Sequence, residues 1–546
     1  MDQKDPEAGH PRRLSWFRIV FDQAVLTSEI IDHPYPGSGT PDDPYLVGWL
    51  ENDPRDPMQF PAWIKWSLTQ VLAFSILAVS FVSSAYSGGI SEVMKSLGGS
   101  QEANVLGVSI FVLGFASGPF LWGPLSELYG RQYLFFITYM VHTAFNAGGA
   151  GAKNLQTLLV LRFFSGVFGA SPLTNAGGAI ADMFAASERG LAMTLFALAP
   201  FLGPVIGPVV GGFVGETVGW RWLMGVMTIF TGIVWIIGAL ILPETYAPVL
   251  LRRRARKLSE ISGKVYISRS DVGQGKAKPS VLFRNALARP WALLFLEPIV
   301  LLLSIYMAIV FGTLYLLFAA FPVVFQHGRG WSPGIGGLAF LGVAVGMMGA
   351  IAYALWDNKR YIRAGQRDPS GFAPPEARLP VCMIGGIAIP VGLFWFAWTN
   401  SPSIHWMVSI AAGVPFGFGI VLIFLGITNY LVDAYTIFAA SVLAAGAILR
   451  ALFAFAFPLF TTYMYRNLGI HWASSVPAFL SILCLPFPFL LYKYGPAIRR
   501  RCKYAAEADL VLRKIRGLAP AQQSAPTGVT NPLASSEPSS AGENAG

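Results

Sequence analysis

Apolar runs of about 20 residues recur from near residue 66 to near residue 492, each long enough as a helix to cross a ~30 Å hydrocarbon core. Twelve can be marked: 66–87, 103–123, 133–151, 155–180, 190–214, 221–242, 291–320, 333–356, 380–399, 405–428, 434–464 and 470–492. None alternates with period two, so a lipid-facing barrel is excluded. Helices remain, because in lipid every backbone N–H and C=O must find its partner within the spanning structure. Composition agrees: 54% of residues are hydrophobic and 12% charged, against about 25% charged in a soluble domain. The expected fold class is an all-α polytopic membrane protein with 12 transmembrane helices.

Charge gives the expected sidedness. With both termini cytoplasmic, the inward loops and tails hold 32 Lys and Arg and the outward loops five; the other two, Arg162 and Arg450, lie inside spans. The reverse arrangement would place RRRARK (252–257) and RRRCK (499–503) outside, against the positive-inside rule. Because these runs flank spans, they read as topology signals and as contacts for anionic membrane lipid, not for nucleic acid. A basic segment, 247–290, divides six spans from six. The expected organisation is a cytoplasmic N-terminal tail (1–62), a six-helix bundle (63–246), a central cytoplasmic loop (247–290), a second six-helix bundle (291–495) and a cytoplasmic C-terminal tail (496–546). The tail's small-residue end, 524–546, is expected to be disordered. Three scattered cysteines offer neither a disulfide framework nor a metal site, and no cofactor is expected. A phosphate-binding G-x-x-x-x-G-K loop is absent, so nothing supports pumping driven by ATP.

The two halves repeat faintly. GPLSELYGR (123–131) follows the second span and WDNKRYIR (356–363) the eighth, each an acid followed by bases at an inward helix end. Repeated halves mark transporter folds whose substrate site lies between them at mid-membrane. Inside the fifth span, GPVIGPVVGG (203–212) combines four glycines with two prolines. Ala199, Gly203, Gly207, Gly211 and Gly215 recur every four residues, a smooth stripe that lets another backbone approach closely. Pro200, Pro204 and Pro208 form a second stripe and favour a bend. A helix both smooth and bent is expected to be a surface on which the two halves seal and rock. Arg162 carries a permanent charge inside a span, which costs at least ~2.5–3.5 kcal/mol unless it faces protein or water. It is expected to point into a central cavity and to pair there.

These segments resemble fungal twelve-span drug:proton antiporters of the major facilitator superfamily. GPVIGPVVGG is similar to that family's fifth-span antiporter motif, matched at Gly203, Gly207, Pro208, Gly211 and Gly212. GPLSELYGR resembles its loop motif, carried here by Gly123, Leu125, Glu127, Gly130 and Arg131, and LRFFSG (161–166) its fourth-span motif, with Arg162 and Gly166. The resemblance implies the MFS fold with its two bundles, and export of a small hydrophobic organic substrate in exchange for protons by a monomer in the plasma membrane, the vacuolar or vesicular membrane being the alternative. Glu127 and Arg131, four apart at a helix end, are expected to pair in one conformation and part in the other. Candidate proton carriers are Glu297 near the start of span seven, Asp433 at the cytoplasmic entry to span eleven, and His142 within span three.

The sequence also departs from the resemblance. Relatives often carry a glutamate where LFAAFPVVF (317–325) has Ala319, and ANTFLR where this chain has AGAILR (445–450). Fewer acids weaken the case for a polyamine, whose charges need carboxylate partners. Efflux of a hydrophobic drug, fungicide or secondary metabolite is the leading reading. Export of a polyamine or other organic cation, and a non-transporting membrane receptor, are the alternatives.

Overall fold

In a computed structural model of the protein, residues 15–185, 188–272, 279–367 and 373–515 are described; the tail 524–546 lies outside them. The long helices of the first half are α1 (Ala62–Ala85), α2 (Gln101–Phe115), α3 (Gly118–Tyr129), α4 (Arg131–Ala150), α5 (Leu155–Met183), α6 (Arg189–Val218) and α7 (Trp220–Ile241). A connecting helix, α8 (Ala247–Ser262), leads on to α9 (Pro279–Leu296) and α10 (Pro298–Phe321). The rest of the second half comprises the short α11 (Pro333–Gly337), then α12 (Phe340–Arg367), α13 (Leu379–Thr399), α14 (Gly413–Tyr435), α15 (Ala439–Cys484), α16 (Pro486–Arg501) and α17 (Lys503–Ile515).

Among the described residues, nine helical stretches are long and apolar enough to cross a membrane. Two features separate that number from the twelve apolar runs. The helix α4 is not among the nine, because Gln132, Thr138, His142, Thr143 and Asn146 dilute its hydropathy. Conversely, the last stretch, Trp406–Arg501, is 96 residues long and holds several rods. It is interrupted by a 3₁₀ turn at Thr436–Phe438 and again within α15, where Gly469 leaves the helix (φ 72°, ψ 167°).

Packing follows the small residues. Within the first half α1 lies along α6; within the second, α10 lies along α15, and α14 is flanked by α12 and α13. The most extensive contacts between the halves are α2 with α15, α6 with α11 and α12, and α3 with α9. The three interior prolines of α6 do not break it, and the helix runs without a non-helical residue from Arg189 to Val218.

The N-terminal segment and the basic connection fold together. Strands β1 (Tyr45–Val47) and β2 (Tyr266–Ser268) pair in parallel, with Tyr45 opposite Tyr266. Beneath them Ile30, Tyr35, Val47, Leu251, Ala255 and Leu258 form a small separate core. Three bases of the run 252–257 are engaged by acids of the protein, while Arg256 remains exposed. Buried Arg254 donates to both carboxylate oxygens of buried Asp53, at 2.5 and 3.1 Å. Arg252 pairs with Asp271 at 2.9 Å and Lys257 with Asp22 at 3.5 Å. A charge withdrawn from water needs a partner, and α8 brings these bases beside acids far away in sequence.

Candidate functional site

At one end of the bundle, here the charged end, Glu244 organises the loop motif. It follows α7 directly and is fully buried. Its carboxylate accepts the backbone N–H groups of Arg131 (3.0 Å) and Gln132 (3.1 Å), the first two residues of α4. It also accepts those of Thr245 and Tyr246, both at 2.9 Å, just ahead of α8. One anion thus meets free donors at two helix starts, where the macrodipole also favours negative charge. Gly130 admits it: φ is +96°, and a Cβ there would run into the Glu244 carboxylate. Arg55 closes the cluster by donating to the Glu244 carbonyl at 3.0 Å; burial lowers its pKa to about 10, so it stays charged at neutral pH.

Arg131 does not pair with Glu127. Its Nε donates to Asp182 at 2.5 Å, in the last turn of α5, and its guanidinium lies over the Tyr246 ring. Glu127 is exposed and forms no ion pair among the described residues. Gly123 and Leu125 are partly buried along α3, and Gly123 faces Thr174 of α5. The second half repeats the long-range arrangement. Arg378, immediately before α13, pairs with Asp433 at 3.0 Å near the end of α14 and lies over the Tyr361 ring. Glu376 takes both bonds from Arg499 of α16, at 2.9 and 3.0 Å. Within WDNKRYIR itself Asp357 pairs locally with Arg360 at 2.6 Å, so the repeated feature of the two halves is the long-range pairing of Arg131–Asp182 and Arg378–Asp433, which the acid-then-base pattern did not point to.

Arg162 is buried, 1% exposed, and finds no acid. Its Nε donates to the Gly107 carbonyl at 2.5 Å and its Nη2 to the carbonyls of Val82 and Ser83 at 3.2 and 3.3 Å. The last two lie in the last turn of α1, just ahead of the 3₁₀ turn Tyr86–Gly89. The Tyr86 ring lies 4.3 Å and the Phe111 ring 5.1 Å from the guanidinium carbon. Arg162 is thus held by backbone and rings, not paired in a cavity. Gly166 explains its own place: a Cβ there would collide with the Phe111 carbonyl, so α5 and α2 touch backbone to backbone. Beside Arg162's turn, the Ser83 hydroxyl meets the Tyr315 hydroxyl of the other half at 2.8 Å.

The glycine stripe of α6 divides its work. Gly203, Gly207 and Gly211 press on α1, with a Gly203 Cβ 2.6 Å from the Leu77 carbonyl and a Gly207 Cβ 2.8 Å from the Ala85 nitrogen. The stripe packs within one half, which corrects its assignment to the seam between halves. The neighbouring face meets the second half: Gly212 abuts Pro333 and Gly334, while Gly337 abuts the Pro208 carbonyl. Glu216 adds a cross-seam bond, accepting the Gly334 N–H at 3.1 Å. This far end of the bundle is closed. Gly212→Val, whose Cβ would meet the Gly334 Cα at 2.9 Å, is expected to part the seam. A cysteine placed at Val209 should then react severalfold faster with a membrane-impermeant maleimide; the chain's own three cysteines are buried and give a low background. Unchanged labelling would mean that the seam absorbs the side chain.

Two of the three candidate proton carriers lie in closed bonding sets. His142 is fully buried, with Nδ1 2.8 Å from the Ser165 carbonyl and Nε2 3.3 Å from the Asn146 amide. Glu297 caps the start of α10 and is also fully buried; it accepts the Tyr435 hydroxyl at 2.9 Å and the Tyr504 N–H at 2.8 Å, tying down the C-terminal segment. Asp433 sits partly exposed in its pair with Arg378. At mid-depth, a small cavity between the halves is walled by Phe201 of α6, Met307 and Phe311 of α10, Ile423 and Phe424 of α14, and Arg450 of α15. Phe201 sits edge-on to Phe311 and Phe424, with centroids 5.8 and 4.9 Å away.

Comparison with known proteins places this architecture. Residues 72–458 match the model of the Major Facilitator Superfamily. A protein of Trichophyton rubrum named MFS-type efflux pump MFS2 is 64% identical over 509 residues, covering 93% of this chain and 85% of its own. The Aspergillus fumigatus protein named major facilitator superfamily multidrug transporter mdrA is 62% identical, with 93% and 84% covered. Among solved structures, the proton:xylose symporter XylE shares the fold at a TM-score of 0.58 and 16% identity, covering 80% of this chain and 96% of the symporter chain.

Proposed function

This chain belongs to the Major Facilitator Superfamily, and from that premise we propose that it is a secondary active efflux transporter, exporting hydrophobic drugs, fungicides or a secondary metabolite by alternating access in exchange for protons. Its relatives and structural neighbours are transporters, not enzymes. The observation that carries the reading is the close identity, along nearly the whole chain, to a relative named an efflux pump. The geometry supports it: a mid-depth cavity of the second half is closed by Phe201 of the first, and the halves meet tightly at the far end. Rocking of the halves about such a cavity would expose it to each side in turn.

In this reading twelve spans form two bundles of six, the charged end and both termini face the cytoplasm, and the protein works as a monomer in the plasma membrane. The paired clusters at Arg131–Asp182 and Arg378–Asp433 would hold and release the cytoplasmic gate. Asp433 is the proton carrier this reading retains, since its carboxylate becomes free when its ion pair opens. His142 and Glu297 already have their partners.

The test is transport by the full chain in reconstituted vesicles, with a panel of fluorescent lipophiles and radiolabelled spermidine. Movement of a lipophile that rises with an imposed pH gradient is the expected result. Movement of spermidine alone would replace this reading by the organic-cation one.

A further inference from the structure

Arg450 is a partly buried cation that, unlike Arg162 and Arg254, has no bonding partner among the described residues. It stands within the membrane-spanning part of α15 and lines the mid-depth cavity, with its guanidinium carbon 5.1 Å from the Phe424 ring centroid. Among the described residues it forms no hydrogen bond and no ion pair, and no acid acts on its charge. Arg162, at comparable depth, has three carbonyls; Arg254 has Asp53. A second polar group near Arg450 is also unmatched. The Ser304 hydroxyl of α10 is fully buried without a partner. The two flank Gly446: a Cβ there would stand 3.5 Å from Ser304 Oγ and 4.0 Å from Arg450 Nη1. The rest of the wall is aromatic and aliphatic.

We propose that Arg450 is the anchor for a carboxylate on the substrate, so that this cavity, about 10 Å³ in the closed arrangement described here and widened when the halves part, takes aromatic organic acids in their anionic form and disfavours cations. This rests on the efflux reading and narrows its substrate class. A guanidinium in a low-dielectric wall is costly when unpaired, and a planar carboxylate matches its fork with two parallel bonds. The Phe201, Phe311 and Phe424 rings offer edges and faces to an aromatic body. A ligand amine would instead face the cation with no acid in reach, a repulsive element that provides selectivity.

Three isosteric probes test this on the purified full-length protein: 2-naphthoate, 2-naphthamide and 2-naphthylmethylamine, by equilibrium binding near pH 7.5. The wild type should bind the carboxylate about tenfold or more tightly than either other probe, as a charge-assisted bidentate contact implies. Arg450→Gln should remove that preference while leaving the amide unchanged, and Arg450→Lys should retain part of it. Equal binding of all three probes by the wild type would overturn the proposal, even if the glutamine variant fails to fold. So would naphthoate binding that survives Arg450→Gln intact. Vesicle transport separates the two claims. Naphthoate bound through Arg450 with no probe exported would support the anion site and overturn efflux. Export of neutral lipophiles without preference for the carboxylate would overturn the anion site and leave efflux standing.

Discussion

Arg162→Met is expected to lower efflux by about a hundredfold or more, with the protein still inserted and monodisperse. Methionine keeps much of the volume and removes the donors to Gly107, Val82 and Ser83. Each bond from a charged donor is worth ~1.5–3 kcal/mol, so losing even two of the three accounts for that factor. The loss should appear in transport because the bonds fix the last turn of α1. That turn carries Ser83, whose hydroxyl reaches Tyr315 across the seam. Arg162→Lys should not rescue, since an ammonium is a point charge and cannot spread its donors over carbonyls on two helices. Initial efflux rates, normalised to protein that elutes as a single species, check this. A lysine variant working at the wild-type rate would show that charge alone suffices.

The second large effect is on stability. Glu244→Ala strands four N–H groups, those of Arg131, Gln132, Thr245 and Tyr246. A buried donor without a partner costs ~1–3 kcal/mol, and water entering the vacated volume would satisfy some of them. A net loss of ~3 kcal/mol or more follows, together with loosening of the Arg131–Asp182 pair that the same turn presents. Glu244→Gln keeps an acceptor and should fall between. Thermal unfolding in detergent reads this directly, with exposed Glu260→Ala as the control. A melting temperature that drops no further than the control's would mean that water replaces the carboxylate fully.

The apolar runs were legible as helices, and the nine stretches that meet a simple length-and-hydropathy measure differ from the twelve runs only where polar residues or helix fusion intervene. The helix α4 falls short on hydropathy because its His142 and Asn146 are matched inside the bundle, where their polarity is not exposed to lipid. The glycine spacing of α6 announced close approach, and the helix does approach another backbone. It could not say which one, since α1 and α11 meet faces only a fraction of a turn apart.

Charged partners were least legible. A four-residue separation suggested Glu127 for Arg131, but Asp182 lies 51 residues away and wins because the end of α5 is packed beside the start of α4. Nor did the basic run 252–257 announce that Arg254 and Lys257 meet acids of the N-terminal segment, which the fold lays against α8. By itself the sequence determined what must be buried in lipid, where helices can touch, and which two cations would be costly within spans. The tertiary structure alone decided who satisfies those cations. Hydrophobic periodicity is a local property of the chain, whereas a hydrogen bond or ion pair depends on which distant segments packing brings within about 3 Å. For Arg162 that packing supplied three carbonyls, and for Arg450 it supplied none.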